Sequence, residues 1–233
     1  MKSVYIVSEI CGQWGGSVRK AEQMILQSKM GGADAVKVQL FDTYKMPGEN
    51  RERWEYLSMS KGDFFRLRDY CDKLNITFFA SAFDRERFNW IREAQLGINK
   101  IASSLVEIDP ELCSDMVASG MTTFFSLGKW CGQELPFFDD SVTYFHCIAK
   151  YPHTMQEALE KLPAKFSGKI LGYSDHSLGI LSSIEAVKRG ALYVEKHFTL
   201  DKTAQSSTEG AHACSMNYKD LVSLRNICDK IAK

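Results

Sequence analysis

The sequence predicts an α/β protein, a single trimmed (β/α)₈ TIM barrel, and three observations carry that prediction. Short apolar runs alternate with helix-period segments from end to end, the order that gives a parallel sheet with helical crossovers. Eight such runs can be counted, and 233 residues lie between the floor of roughly 200 and the usual roughly 250 residues of an eight-unit barrel. No Pro-, Gly- or Ser-rich stretch marks a linker, so residues 1–233 read as one domain. A doubly wound open sheet is the competing class, but the first turn, Cys11-Gly12-Gln13-Trp14-Gly15-Gly16, lacks the G-x-G-x-x-G spacing.

The strand candidates are 4–9, 35–41, 76–81, 98–102, 122–126, 142–148, 169–174 and 191–198. After the first, Ser17 is placed to cap a helix with Val18, Ala21, Met24, Ile25 and Ser28 on one face, and after the second, Ser60 with Asp63 resembles a capping box. Asp109-Pro110 sets a cap residue before a proline at the first helical position, and Gly120 falls where that helix should stop. Between the fifth and sixth strands, 128–140 leave little room for a helix, so the fifth crossover is expected to be short. A last helix from about Tyr218 should turn Leu221, Val222 and Ile227 toward the barrel.

Apolar residues make up 45% of the chain, enough for a sizeable core, while 29 basic and 29 acidic side chains balance. No global field draws such a protein to nucleic acid or to an anionic membrane, so any anion must be held by a local cluster. Glu9 interrupts the N-terminal apolar run before a signal sequence could be complete, and no apolar stretch approaches membrane-spanning length. The seven cysteines are odd in number, scattered and without a C-x-x-C, which fits reduced thiols in a cytoplasmic protein.

Strand alternation sorts the side chains by face. In the second strand Ala35, Lys37, Gln39 and Phe41 share one face and Val36, Val38 and Leu40 the other; helices cover the outside of a barrel, so Lys37 and Gln39 point inward. The eighth strand repeats this with Tyr193, Glu195 and His197. Continuing round, the inward polar residues nearest the strand ends are Glu9, Ser81, Lys100, Ser126, His146 and Ser174 with His176, at the end where barrel active sites form. Lys37 and Lys100, with hydroxyls from Ser81, Ser103, Ser126 and Ser174, predict a donor-rich cationic pocket for a small polyanion carrying phosphate or carboxylate, the alternative for either lysine being that it snorkels or pairs with Glu9 or Glu195.

A lone buried histidine is more often a core residue than a ligand. The pair His176 and His197, ending neighbouring strands, favours one metal with positions left open to water and substrate oxygens. Glu9 and Glu195 become neighbours when the barrel closes, so either can orient a ligand or transfer protons. His146 reads equally as part of this ring or as a hydrogen-bonded core residue. His153 and His212 fall in loops.

Seven motifs occur in order along the chain: Ser8-Glu9-Ile10, Gly32-Ala33-Asp34-Ala35-Val36-Lys37-Val38-Gln39, Phe83-Asp84, Lys100-Ile101-Ala102-Ser103, His146-Cys147 with Tyr151-Pro152, Gly172-Tyr173-Ser174-Asp175-His176-Ser177-Leu178-Gly179 and Glu195-Lys196-His197-Phe198-Thr199-Leu200-Asp201. With them the chain resembles the N-acetylneuraminate (sialic acid) synthases and their legionaminate, pseudaminate and spore-coat relatives. The resemblance implies a metal-dependent condensation in which C3 of phosphoenolpyruvate attacks the open-chain aldehyde of an amino sugar such as N-acetylmannosamine, giving a nine-carbon 2-keto-3-deoxy acid and phosphate. It implies His176 and His197 as ligands, usually of manganese (Mn²⁺), and Lys37, Ser81, Lys100, Ser103, Ser126 and Ser174 as contacts to phosphoenolpyruvate. Glu9 becomes the catalytic carboxylate, and Gln39 and Tyr151 hold the acceptor sugar.

Departures from the family pattern fall mostly on the acceptor side. Gln13-Trp14-Gly15-Gly16 replaces an Asn-His-Asn-Gly segment, Ala80-Ser81-Ala82-Phe83 replaces Ser-Thr-Pro-Phe, and Ser126-Leu127-Gly128 replaces Ser-Thr-Gly. Ile148-Ala149 stands where relatives carry a polar pair, and Ala211-His212 lacks the usual Asp before His. The antifreeze-like domain of most relatives is not in this sequence, and the 42–56 loop is short, so an open site, or a homodimer or separate lid-supplying chain that covers it, is expected. Three functions follow: the sugar-acid synthase; a synthase for another aldehyde, as in octulosonate and heptulosonate synthases, where Lys45, Lys129 and Lys150 would matter; or a degenerate barrel that binds a metabolite or partner without turnover.

Overall fold

The computed structural model describes residues 4–45, 55–205 and 211–231. Among them eight parallel strands close into one barrel in chain order. These are β1 (Tyr5–Glu9), β2 (Ala35–Leu40), β3 (Thr77–Ala82), β4 (Ile98–Ile101), β5 (Thr122–Ser126), β6 (Val142–Cys147), β7 (Ile170–Asp175) and β8 (Tyr193–His197). All eight expected strands are present. Closure pairs β1 with β8 from Tyr5↔Tyr193 to Glu9↔His197, which sets Glu9 beside His197 although they lie at opposite ends of the sequence.

The crossovers carry α1 (Val18–Met30), α2 (Lys61–Leu74), α3 (Arg85–Glu93), α4 (Leu105–Ile108), α5 (Pro110–Ala118), α6 (Met155–Lys161) and α7 (Leu181–Lys188), and α8 (Tyr218–Ile231) follows β8. The expected caps are made: Ser17 Oγ accepts from Lys20 N at 3.3 Å, Ser60 Oγ from Asp63 N at 3.1 Å, and Asp109 Oδ1 from Leu112 N at 2.8 Å, although the Asp63 carboxylate accepts from Ser60 Oγ at 2.7 Å rather than from the Ser60 main-chain N–H as a capping box would. Residues 127–141, all described, hold turns and no helix, so the fifth crossover is short as expected. Of the 42–56 loop, residues 46–54 lie outside the described residues.

One helix face is corrected. In α8 the buried side chains are Leu221, Leu224 and Cys228, while Val222 and Ile227 are only half-buried flanks. Arg225 fixes that rotation: its guanidinium donates to Val4 O and Gly32 O, both at 2.8 Å, and pairs with Asp34, which ties α8 to the N-terminal ends of β1 and β2.

Inside the barrel, Val7, Ala35, Phe79, Phe124 and Phe145 form a dry layer with Tyr5, Ile98 and Tyr193 packed against it. Phe124 sits at the centre, its ring centroid 5.0 Å from Phe145, 5.2 Å from Tyr193 and 5.6 Å from Phe79. This layer is the floor of everything at the strands' C-terminal ends. It also corrects the phase of β6. Tyr144 points outward, its hydroxyl donating to Phe137 O at 2.8 Å and accepting from Phe137 N at 2.9 Å, so Phe145 and Cys147 point in and His146 points out, stacked on Tyr173. His146 is therefore not part of the inner ring.

The neighbouring strand makes room for Phe145. Between β6 and β7 the register steps from Tyr144↔Ile170 to Phe145↔Gly172, leaving Leu171 as an extra residue. A Cβ on Gly172 would lie 2.4 Å from Phe145 Cγ. Gly172→Ala is therefore expected to destabilise the fold by about 1–3 kcal/mol through overpacking, read as a lower urea midpoint with an unchanged denaturant slope.

Candidate active site

The strand register brings Glu9, Lys37, Gln39, Lys100, Ser103, Ser126, Tyr151, Ser174, His176, Glu195 and His197 around one chamber of about 290 Å³ above the aromatic floor. Ser81 lies just behind it, fully buried, 3.4 Å from Lys37 Nζ.

Four of these side chains form a buried chain of alternating charge. Glu9 Oε2 pairs with Lys37 Nζ, which lies 3.4 Å from Glu195 Oε1, and Glu195 Oε2 is 3.2 Å from Lys100 Nζ. Backbone and hydroxyl donors complete the carboxylates: Cys11 N donates to Glu9 Oε1 at 2.7 Å and Ser174 Oγ to Glu195 Oε1 at 3.1 Å, with Ser126 Oγ 3.3 Å further on. Lys100 Nζ also sits 3.7 Å from the centroid of Phe145, a cation held over the floor itself.

Position in the chain sets each proton affinity. Burial opposes the charge on Glu195, but Lys100 and Lys37 outweigh it and hold that carboxyl at about 2. Burial, with Glu195 as a like charge, pushes Glu9 above the ordinary carboxylate value against the pull of Lys37. Burial would discharge Lys37, yet the carboxylates of Glu195 and Glu9 keep its pKa above that of a free lysine. Lys100 goes the other way: burial, against the pull of Glu195 and reinforced by Lys37, lowers it to about 8. The two carboxyls are thus pushed apart, one firmly ionised and one nearer to carrying a proton, the pattern that separates a charge stabiliser from an acid–base group.

The histidines stand at the other side of the chamber with ring centroids 5.6 Å apart. His176 Nδ1 is 2.9 Å from Ile148 O, and His197 Nδ1 is 2.9 Å from Gln13 Oε1. Both acceptors are oxygens, so each Nδ1 carries the hydrogen and each Nε2 keeps a lone pair. Burial lowers His176 to about 4 and, together with His176 as a neighbour, takes His197 well below the ordinary value, so both rings are neutral at pH 7. A neutral imidazole with a free Nε2 is the state a metal needs, and the donor set fits one. Among the described residues no group of three or more His, Cys, Asp and Glu gathers that could hold a metal ion. Tyr151, following β6, stacks on His176 at 3.8 Å and meets His197 edge-on at 5.6 Å.

The NeuB family model matches residues 24–233. The chain belongs to the NeuB family. N-acetylneuraminate-9-phosphate synthase of Drosophila melanogaster is 29% identical over 95% of this chain and 66% of its own length. N,N'-diacetyllegionaminic acid synthase of Legionella pneumophila is 27% identical over 94% and 70%. The crystal structure of N-acetylneuraminic acid synthetase from Leptospira borgpetersenii with citrate superposes with a TM-score of 0.85 at 28% identity, covering 99% of this chain and 84% of that one. The chain spans about two thirds of the length of the curated relatives it matches. Enzymes of the NeuB family are metal-dependent in general.

In this NeuB barrel a second chamber, of about 600 Å³, adjoins the first and shares Gln39, Tyr151 and His197 with it. Its described lining is Cys, Gly, Phe, Leu, Pro and Ala with the amides of Gln13, Gln39 and Gln205, and it holds no Lys, Arg, Asp or Glu. Lys45 and Lys150 line neither chamber, and Lys150 pairs with Glu157 at 2.6 Å, while Lys129 reaches the rim of the first.

Sequence reading missed two residues. Cys147 faces inward, its Sγ 3.8 Å from His176 Nδ1, and only the phase of β6 could have flagged it. Gln13 stands in a segment that departs from the family pattern, and nothing local in the sequence ties it to His197. The remaining histidines are structural: His153 Nδ1 lies 3.1 Å from Thr154 O, and His212 Nδ1 2.7 Å from Thr199 Oγ1.

Lys37 touches two buried carboxylates, so Lys37→Met leaves both without their shared cation. A loss of about 3–5 kcal/mol of unfolding free energy is expected, measured by chemical denaturation at pH 7.

Proposed function

We propose that this chain is a phosphoenolpyruvate-dependent synthase that joins phosphoenolpyruvate to an unphosphorylated N-acylated amino sugar in its open-chain form, yielding a nonulosonic 2-keto-3-deoxy acid and phosphate. The observation that carries this reading is the convergence of the buried Glu9, Lys37, Glu195 and Lys100 chain and the two neutral histidines on one chamber at the strand ends. Membership of a family whose curated relatives are nonulosonic acid synthases supports it.

In this reading Lys37 and Lys100, with the hydroxyls of Ser81, Ser103, Ser126 and Ser174, bind the carboxylate and phosphate of phosphoenolpyruvate. Gln39 and Tyr151, which border both chambers, hold the acceptor so that its aldehyde faces C3. Carbon–carbon bond formation leaves a negative oxygen that takes a proton, water adds at C2 and loses one, and the C2–O bond to phosphate breaks as the second water proton leaves with the phosphate and C2 becomes the keto carbon. Glu9, the carboxyl raised by burial, exchanges these protons, and Glu195 stays ionised and holds both lysines in place. His176 and His197 would hold a divalent ion, for which we propose Mn²⁺, and that ion would supply Lewis acidity toward the aldehyde oxygen.

The second chamber favours an uncharged acceptor with acyl substituents over a phosphorylated one, because its described lining offers amides and apolar groups and no cation. All seven cysteines are free thiols, and among the described residues no helix is long and apolar enough to cross a membrane; both support the cytoplasm as the working compartment. We further propose that a homodimer partner or a separate chain covers the mouth.

Incubation with Mn²⁺, phosphoenolpyruvate and a panel of aldoses should release phosphate and form keto acid only with an N-acylated amino sugar. Glu9→Gln should lower kcat on the order of 10²–10⁴-fold. Release that survives His176→Ala combined with His197→Ala would remove the metal assignment, and tight phosphoenolpyruvate binding without release for any aldose would make the barrel a binding protein. The chamber's pH response is a separate check. Lys100 binds an anion only while protonated, so its contribution is present below pH 8 and lost above it. Calorimetric Kd for phosphoenolpyruvate should rise about tenfold at one pH unit above that value.

A further inference from the structure

We propose that Gln13 is the positioning residue that prepares His197 for metal, taking in this chain a role that no side chain near His176 has to play. The inference rests on reading His176 and His197 as the metal ligands.

The two rings are held by unlike partners. His176 Nδ1 hydrogen-bonds to the main-chain carbonyl of Ile148, which no substitution at that position removes. His197 Nδ1 depends on the side-chain oxygen of Gln13, 2.9 Å away and 184 residues distant in sequence. A neutral imidazole free to choose divides its hydrogen between two nitrogens; an acceptor oxygen fixed at Nδ1 commits it there and leaves the Nε2 lone pair for an ion. It also restrains the rotation of the ring, since a hydrogen bond from a ring N–H is directional.

Gln13 is itself built in. It is 1% exposed and sits in the short 3₁₀ turn Gly12–Trp14 that follows β1. Trp14, buried in the main core, donates from its N to Ile10 O at 3.3 Å, and Gly15, in the left-handed region at φ 61°, donates to Gly12 O at 3.2 Å and closes the turn. Gly12 packs under Leu57, where a Cβ would lie 3.2 Å from Leu57 Cδ1. Core packing on one side and a closed turn on the other hold the amide against His197, so its acceptor is in place before any ion arrives. The same amide lines the second chamber, so one side chain borders the acceptor space and orients the ligand. The departure Gln13-Trp14-Gly15-Gly16 is therefore a working part of this site.

The test uses the full chain. In metal-free protein labelled with ¹⁵N-histidine, long-range ¹⁵N–¹H spectra should show His197 as the Nδ1–H tautomer in the wild type and as a tautomer mixture in Gln13→Met, with His176 unchanged in both. Mn²⁺ affinity, read from the paramagnetic resonance signal of free ion, should fall about 10–100-fold in Gln13→Met and recover to within a few-fold in Gln13→Glu, which restores an acceptor oxygen. Recovery in Gln13→Glu also shows that the turn still folds. An unchanged His197 tautomer in Gln13→Met, or an unchanged Mn²⁺ affinity, overturns the proposal. If the wild type binds Mn²⁺ no better than His197→Ala, the metal reading itself has failed, and that result is seen without any Gln13 variant.

Discussion

The mouth of this barrel depends on keeping two carboxylates and two ammonium groups buried within one another's reach. Any one of them alone in so dry a place would shed its charge or unfold the chain, because the desolvation of a single ion costs several kcal/mol. Alternation makes the set tolerable: Lys37 lies between Glu9 and Glu195, and Glu195 between Lys37 and Lys100. Strand register enforces it, pairing Glu9 with Lys37 across β1 and β2 and Ser174 with Glu195 across β7 and β8. The aromatic floor supplies the low dielectric that makes these attractions strong. Fold and chemistry are coupled at Phe145, which fills the floor, supports Lys100 and requires Gly172 beside it.

That coupling explains which parts of the protein were legible in the sequence. Alternation in β2 and β8 is clean, so Lys37, Gln39, Glu195 and His197 could be assigned to the inner face, and the structure brings them together. In β6 the neighbours Tyr144 and Phe145 are both apolar, and either could face in. The choice is settled by the Tyr144 hydroxyl reaching Phe137, a contact made in the helix-free fifth crossover, and by the extra residue Leu171 on the next strand. A two-residue period holds no information about either. The face of α8 failed for a similar reason: Arg225 and its partners at Val4, Gly32 and Asp34 select the rotation, and all three lie near the other end of the chain.

Gln13 shows a second limit. Compared with the family pattern its segment reads as a departure, because a motif records residue types and not what they hold. Its contact with His197 exists only when β1 and β8 meet, so closure of the barrel creates the site and no stretch of sequence contains it. Ile148 illustrates the converse. Its side chain departs from the family pattern, yet its main-chain oxygen still serves His176.

The charge balance of the chamber narrows what can enter it. With Glu9 ionised, Glu9 and Glu195 balance Lys37 and Lys100, and a proton on Glu9 leaves the quartet with one net positive charge. A polyanion that bears phosphate and carboxylate is therefore favoured when it arrives with a proton that Glu9 can take. Lys129 stands at the rim, exposed, where solvent and salt screen it. The neutral rings of His176 and His197, each with Nδ1 against an oxygen, face the same chamber and leave Nε2 without a hydrogen. The paired quartet and the neutral histidines are thus two sides of one arrangement: each lysine lies against a carboxylate, and neither ring adds charge to the chamber.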